Sequence, residues 1–531
     1  MPVDAISLEV FKNLFASVAE EMGVTLRRAS FSPNIRERLD FSCAVFDSEA
    51  RMVAQAAHIP VHLGSMPASV ESAIGHFDQF LQGDVIVLND PYRGGTHLPD
   101  ITMVSPVFVR DELMFFVASR AHHADVGGMS PGSIPLSSEL YQEGIIIPPV
   151  HLQHSGWMND GVLSMITANT RNPEERRGDL EAQLASHRVG ESRLIAMLLD
   201  HGIETVQEHA DALMDYSRRM TEAVIADIPD GVYSFEDAME GDGQAEYAIP
   251  IKATITVDGS QMTVDFNGSA PQAAGNVNAV EAIVRSATWY CVRLLAEEDV
   301  PVNHGCFQPV QVITPEAPSL LNPAFPGAVA VGNTETGQRV TDTVLGALAQ
   351  ALPDKIPAAS QGTMNNFTVG MMSDGVQYVY YETIGGGHGA GPSWNGLSGR
   401  QGHMTNTLNT PVEALEYMLP IMVLEYGLRD GSGGAGQYHG GDGIRREYQF
   451  LEPATITINS ERRIYPPYGL QGGEPGATGI NRLQRVNLNP DSHSFGSTEE
   501  QIIGGKYTTH VEAGDRVIIE TPGGGGWGKA E

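Results

Sequence analysis

Apolar residues at Phe11, Leu14, Phe15, Val18 and Met22 recur at three- and four-residue steps, which predicts an opening helix reaching about residue 28. Short apolar runs follow at 41–47 (FSCAVFD) and 84–90 (DVIVLND), and their length and flanking turn residues predict strands. From 174 to 228 the helical spacing returns through Leu180, Leu184, Leu194, Met197, Leu198, Val206, Ala210, Leu213 and Met214. Beyond that block the period changes to two. KATITV and SQMTVDF (252–266) flank Asp258-Gly259, a strong two-residue turn signal. The stretch 367–384 repeats the pattern around Gly375. Helical stretches at about 279–297 and 338–352 interrupt these strands, and β segments are expected at 447–462 and 513–521 among Gly-rich loops. The pattern predicts an α+β fold with mixed or antiparallel sheets, a central helical block and Gly-rich loops. It divides the chain into residues 1–228, which end in the helical block, and residues 229–531, which carry the hairpins and Gly-rich loops.

Composition removes whole classes of function. Across 531 residues, 32 Lys+Arg face 65 Asp+Glu, and the net charge of −33 repels phosphate backbones and anionic lipid. Nucleic-acid and membrane partners are therefore not expected. No apolar run approaches the roughly 18 residues of a membrane-spanning helix. The opening MPVDAISLEVFKNLF has an early Asp4 and no basic n-region, so no secretory leader is expected. Cys43, Cys291 and Cys306 are odd in number and widely spaced. That usage suits a reducing, cytoplasmic compartment and supports neither a disulfide framework nor a thiolate zinc site.

Candidate chemistry concentrates between Asn89 and Gly128, in NDPYRGGTHLPDITMVSPVFVRDELMFFVASRAHHADVGG. Residues 101–109 and 113–119 read as two strands joined by the polar turn Arg110-Asp111-Glu112. A hairpin centred on Asp111 sets Asp100 opposite His122, with His97 and His123 on the loops at the same open end. A one-residue slip would exchange His122 for His123. Two imidazoles and a carboxylate on one side of a cation leave positions open for water and substrate, as a catalytic Mn, Fe or Zn site requires. Asp90, at the end of the preceding strand, is placed to orient a ligand imidazole from outside the donor set. The chain holds 17 His, so chance clusters occur, and the spacing alone leaves open a reading as polar turn residues.

Other matches carry less. GMSPG (128–132) fits G-x-S-x-G, but the residue after Ser130 is Pro131, which has no N–H to serve an oxyanion hole. HIPVH (58–62) has the His spacing of a helical zinc motif, with Pro60 between and no Glu after His58. GGGHGAG (385–391) runs into Pro392-Ser393-Trp394 instead of a helix, against a dinucleotide fingerprint. It reads as a tight-turn cluster, with His388 as a possible ligand-facing residue. The chain lacks G-x-x-x-x-G-K-[ST], so ATP, where used, is expected on another subunit.

RERLDFSCAVFD, HLGSMP, GDVIVLNDPYRGGTHLPD, RAHHADVGG, SQGTMNNF, GGGHGAG, GGDGIRREY and TPGGGGWG together resemble the hydantoinase B/oxoprolinase family, in order from about residue 4 to 528. That family includes β subunits of ATP-dependent N-methylhydantoinases and caprolactamases, the C-terminal half of 5-oxoprolinases, and subunits of acetone and acetophenone carboxylases. The resemblance implies an A-type partner of actin-like ATPase fold that uses ATP and Mg to activate a carbonyl. It implies a divalent metal (Mn, Zn or Fe) held by His97, Asp100 and His122, the positions matching the acetone carboxylase spacing. The chain is nearer in length to hydantoinase-type subunits than to carboxylase-type ones, which carry insertions. The expected function is the β subunit of an ATP-dependent hydrolase of small cyclic amides or imides, with metal-bound water attacking the activated carbonyl and His123 as the candidate for proton transfer. A subunit of a biotin-independent ketone carboxylase and a non-catalytic scaffold for the A-type subunit are the alternatives.

Overall fold

The opening helix spans Ala5–Ala29, and the Asp4 carboxylate caps it by accepting the Ser7 amide at 2.7 Å. Its apolar stripe of Phe11, Phe15, Val18 and Met22 is fully buried, with Phe15 lying 5.9 Å from Phe115 of the first sheet, ring centre to ring centre. The structure is a computed structural model that describes residues 3–56, 59–297, 299–487 and 496–530. His58 of the HIPVH motif lies outside the described residues.

Four sheets, almost wholly antiparallel, make up the β structure of the described residues. The first has seven strands in the order Met52–Gln55, Phe41–Asp47, Glu112–His122, Asp100–Val109, Val85–Leu88, Val150–His154 and Trp157–Met158. The helical block resolves into Asp160–Ala168, Pro173–His201 and Ile203–Ala226. The long helix Pro173–His201 lies over the first sheet and sends His187 between Ser105 and Ser119, which bond its two ring nitrogens at 2.7 and 2.9 Å. Burial holds His187 neutral, with its pKa pushed down to about 3.

At the centre of this sheet is the predicted hairpin, with Asp100 opposite His122 and Val107 opposite Phe115. The turn itself differs from expectation. Arg110 and Asp111 alone form it, both with positive φ (53° and 65°), and Glu112 already belongs to the strand. A bulge between Val107 and Phe108 absorbs the difference, so the register at the open end is the one expected from a turn centred on Asp111.

The second sheet, in the order Val310–Ile313, Gln261–Asp265, Ile249–Asp258 and Gly231–Met239, contains the Asp258-Gly259 hairpin and one parallel pair. The third holds Val376–Thr383, Asn366–Ser373, Ala454–Asn459 and Lys506–Val511. The fourth holds Ile421–Arg429, Gly443–Phe450, Arg516–Glu520, Ile480–Val486 and Thr498–Ile503. The expected β segment 447–462 thus divides between two sheets. Helices Glu281–Arg293 and Gly337–Ala351 complete a buried cluster that joins Met103 of the first sheet, and Leu98 just before its strand, to Ile251 and Val264 of the second and to Val340.

The Gly-rich segments 385–391, 431–443, 469–479 and 521–528 form a bundle of extended chains. Gly387 N donates to Pro522 O, Ala390 N to Gly525 O, Gly434 N to Gly524 O, Gly524 N to Gly441 O and Gly526 N to Glu474 O, all at 2.8–3.0 Å. The backbones lie so close that a Cβ on Gly387 would overlap the Gly441 carbonyl, and one on Gly524 the His388 carbonyl.

Candidate metal centre

The strand Asp100–Val109 begins at Asp100 and Glu112–His122 ends at His122, so the ladder presents both side chains at one end. His97 joins them through the turn in which Asp100 N donates to His97 O at 3.1 Å. His97 Nε2 and His122 Nδ1 each lie 3.2 Å from Asp100 Oδ1, and all three side chains are buried. On the other carboxylate oxygen, Thr96 Oγ1 donates at 2.7 Å and Asn333 Nδ2 at 3.4 Å. Burial alone would raise Asp100, but His97, His122 and His62 hold it well below the usual carboxylate range.

One feature of His97 decides what the cluster can do. Its Nδ1 lies 2.9 Å from the carbonyl of Ala330, which can only accept, so Nδ1 carries the hydrogen. In the neutral ring Nε2 then presents a lone pair to an ionised carboxylate at 3.2 Å. That arrangement is repulsive unless a proton or a cation lies between. His97 Nε2 and His122 Nε2 are both buried without hydrogen-bond partners, as metal-ligating nitrogens are before the ion is counted. Although burial opposes it, the Asp100 charge raises the His97 pKa, the signature of a place that favours positive charge. Ligand atoms of His97, Asp100 and His122 lie within 4.8 Å of one another, and two imidazoles with one carboxylate suit a borderline divalent ion. The residues present fit the metal.

A family model described as hydantoinase B/oxoprolinase matches residues 4–530. The chain belongs to the hydantoinase B/oxoprolinase family. It is 41% identical to 5-oxoprolinase 1 of Arabidopsis thaliana over 99% of its own length, and spans 42% of that longer protein. It is 31% identical to a protein of Pseudomonas sp. (strain NS671) named as a component of a D-/L-hydantoinase, covering 99% of this chain and 90% of that one. Among solved structures it is similar to the ATP-dependent caprolactamase from Pseudomonas jessenii, with TM-score 0.89, 29% identity and coverage of 100% and 92% of the two chains. Acetone carboxylase shares the fold at TM-score 0.88 and 17% identity, with 98% of this chain and 75% of that one covered.

In this member of the family the sequence reading missed several neighbours of the cluster. His62, discounted with the HIPVH motif because of Pro60, opens the helix His62–His76. Its Nδ1 meets Ser42 Oγ at 2.8 Å and its Nε2 lies 3.7 Å from Asp100 Oδ2. Burial lowers its pKa despite the carboxylate. Tyr381 stacks on the His122 ring at 4.6 Å and donates its hydroxyl to Asn366 Oδ1 at 2.8 Å. Asn333 and Tyr381 come from the far part of the chain and have no local signal. The spacing of His62 is the one signal that the motif does carry.

Three expected residues lie elsewhere. His123 immediately follows the strand's last residue, His122, and turns toward Pro173–His201, where its Nε2 meets Gln183 Oε1 at 3.0 Å. Burial and then Arg176 push its pKa down to about 4. Asp90 accepts the Tyr92 amide at 3.0 Å and caps the turn Pro91–Arg93, and the Ala330 carbonyl takes the orienting role on His97. His388 sits in the Gly-rich bundle with Nε2 2.8 Å from Gln401 O. Cys43, Cys291 and Cys306 are buried, and none is in a disulfide. No helix among the described residues is long and apolar enough to cross a membrane.

Proposed function

We propose that this chain is the ring-opening component of an ATP-dependent hydrolase of small cyclic amides, working with an A-type ATPase partner. The observation that carries the reading is the His97 lone pair held against the Asp100 carboxylate by the Ala330 carbonyl. A divalent ion held by His97, Asp100 and His122 would supply Lewis-acid polarisation and an acidified water at neutral pH.

The chain's own residues supply the rest. Ala330 fixes the tautomer of His97, Thr96 and Asn333 hold the second oxygen of Asp100, and Tyr381 fixes the plane of His122. The pocket at the cluster is tight, with a volume of about 20 Å³ that holds an ion or a single water, and Ile59, Val61, Met364 and Met404 line its wall. ATP chemistry is assigned to the partner, in line with the 5-oxoprolinase polypeptide that extends well beyond the matched region. Coverage of 92% of the caprolactamase chain, against 75% of the acetone carboxylase chain, favours the hydrolase over a ketone carboxylase.

The test is to purify the chain with an A-type partner and assay ATP turnover against hydantoins, 5-oxoproline, lactams, and ketones with bicarbonate. ATP-coupled ring opening is expected. Bicarbonate-dependent turnover of a ketone would replace this reading with the carboxylase. Full ring opening by a folded Asp100→Ala complex would leave the chain a scaffold.

A further inference from the structure

We propose that Asp84, His151 and His154 form a second divalent-cation site, of the borderline class represented by zinc, at the rim of the first sheet. Asp84 immediately precedes Val85–Leu88 and is buried, whereas His154 is mostly exposed at the hairpin end of the neighbouring strand Val150–His154. His154 Nδ1 lies 3.0 Å from Asp84 Oδ1 and His151 Nε2 3.5 Å from Oδ2, and the three ligand atoms lie within 4.8 Å of one another.

Histidines three apart on a regular strand point to opposite faces. Two irregularities bring this pair together. The pairing with Val85–Leu88 shifts register between Val85 and Ile86, and Ser155 and Gly156 close the hairpin with φ of 50° and 81°. The two ligand-bearing turns are joined by Gly156 N donating to Gly83 O at 2.9 Å, so the cluster is held by backbone.

The carboxylate is not exhausted by its structural duties. Oδ1 accepts the Ser155 amide and Oδ2 the Leu81 amide, each at 2.8 Å, which uses two of its roughly four lone-pair positions. His151 Nε2 is buried and has no hydrogen-bond partner, although the Phe77 ring at 4.4 Å and the His154 ring at 4.8 Å hold the imidazole in place. An orphaned ring nitrogen aimed at a carboxylate, with a second imidazole beside it, is the donor set of a zinc-type ion, and the open side leaves room for water. A bound ion would tie the hairpin Val150–Met158 to the turn before Val85.

The experiment uses the full chain, stripped with a chelator, reloaded with zinc chloride, desalted and analysed for metal. His154→Ala, at an exposed position, is expected to lose one equivalent of zinc relative to the wild type. Peptide-mapped acylation by diethylpyrocarbonate gives a second readout: zinc should protect His151 and His154 together in the wild type and in His97→Ala. Equal zinc content in wild type and His154→Ala, or acylation of His151 and His154 unchanged by zinc, would overturn the site. Zinc lost only from His97→Ala would uphold the central cluster and overturn this one.

Discussion

The hairpin carrying His97, Asp100 and His122 and the bundle of Gly-rich segments are both built from close approach, and they achieve it by opposite means. At the hairpin, charged and aromatic side chains crowd around one carboxylate, and two ring nitrogens are left without partners. In the bundle, side chains are missing at the contacts, and carbonyls and amides of neighbouring segments pair directly. The first region depends on which side chain stands at each position. The second depends on there being none. Substitutions should therefore fail differently in the two regions, in chemistry in one and in folding in the other.

The largest expected effect lies in the bundle. Gly524→Ala places a Cβ against the His388 carbonyl on a segment that also bonds Gly441 and Gly434, so neither neighbour can retreat alone. Loss of soluble protein, or destabilisation beyond about 4 kcal/mol in a denaturant titration, is expected. Gly375→Ala is the control, since open space surrounds that turn residue and only its φ of 74° is strained, at a cost of about 1–2 kcal/mol. Similar losses for the two variants would mean that backbone contact is not what the bundle needs.

His97→Ala should leave the fold largely in place and abolish function. With Ala330 no longer orienting a ring, bound divalent metal should fall and ring opening by the partnered enzyme should drop by orders of magnitude, while folding monitored by circular dichroism changes little. Chelation of the wild type should lower its thermal midpoint, and metal should restore it, by the usual stabilisation of a state that binds ligand. Undiminished metal in the variant would separate this cluster from the metal.

Sequence alone was informative about one side of this comparison. Two apolar runs, 101–109 and 113–119, around a short polar turn pointed to Asp100 opposite His122, and a bulge and a shorter turn offset one another in producing that register. Adjacent His122 and His123 could not be separated by spacing, because only the strand's pleat decides which faces the carboxylate. His62, Asn333 and Tyr381 reach the cluster through tertiary packing, and nothing local announces them. The Gly-rich segments were visible as loops, but glycine has no side-chain period, so their pairing left no trace in the pattern.

The surroundings of the cluster should also contribute to the pH dependence of stability. Glu335, in the pocket-wall segment Gly332–Thr336, is fully buried, accepts from Met364 N at 3.0 Å and Asn366 Nδ2 at 2.7 Å, and leaves Oε2 unpartnered. Burial, aided by the Glu461 charge, pushes its pKa up to about 7 from 4.5. A carboxyl raised on folding binds its proton more tightly in the native state. Its contribution is therefore full below pH of about 4.5 and is lost as pH rises through about 7, with a ceiling of roughly 3 kcal/mol. Glu335→Gln should flatten that decline in denaturant midpoints measured across this range. An unchanged slope would place the titration elsewhere.

The smallest effect sharpens the comparison most. Thr96→Val keeps the volume of the side chain and removes the hydroxyl that donates to Asp100 Oδ2 at 2.7 Å. Asn333 still reaches the same oxygen at 3.4 Å, so the carboxylate is loosened and not abandoned. Residues that orient a ligand without touching the ion typically change metal affinity about tenfold to a hundredfold. The variant should therefore fold normally, bind metal with affinity reduced by that factor in a competition titration against a chelating dye, and recover activity when metal is added in excess. Recovery is the decisive part: it distinguishes weakened orientation of Asp100 from the outright loss expected of His97→Ala. Failure to recover at saturating metal would mean that Thr96 acts on substrate and not through the carboxylate.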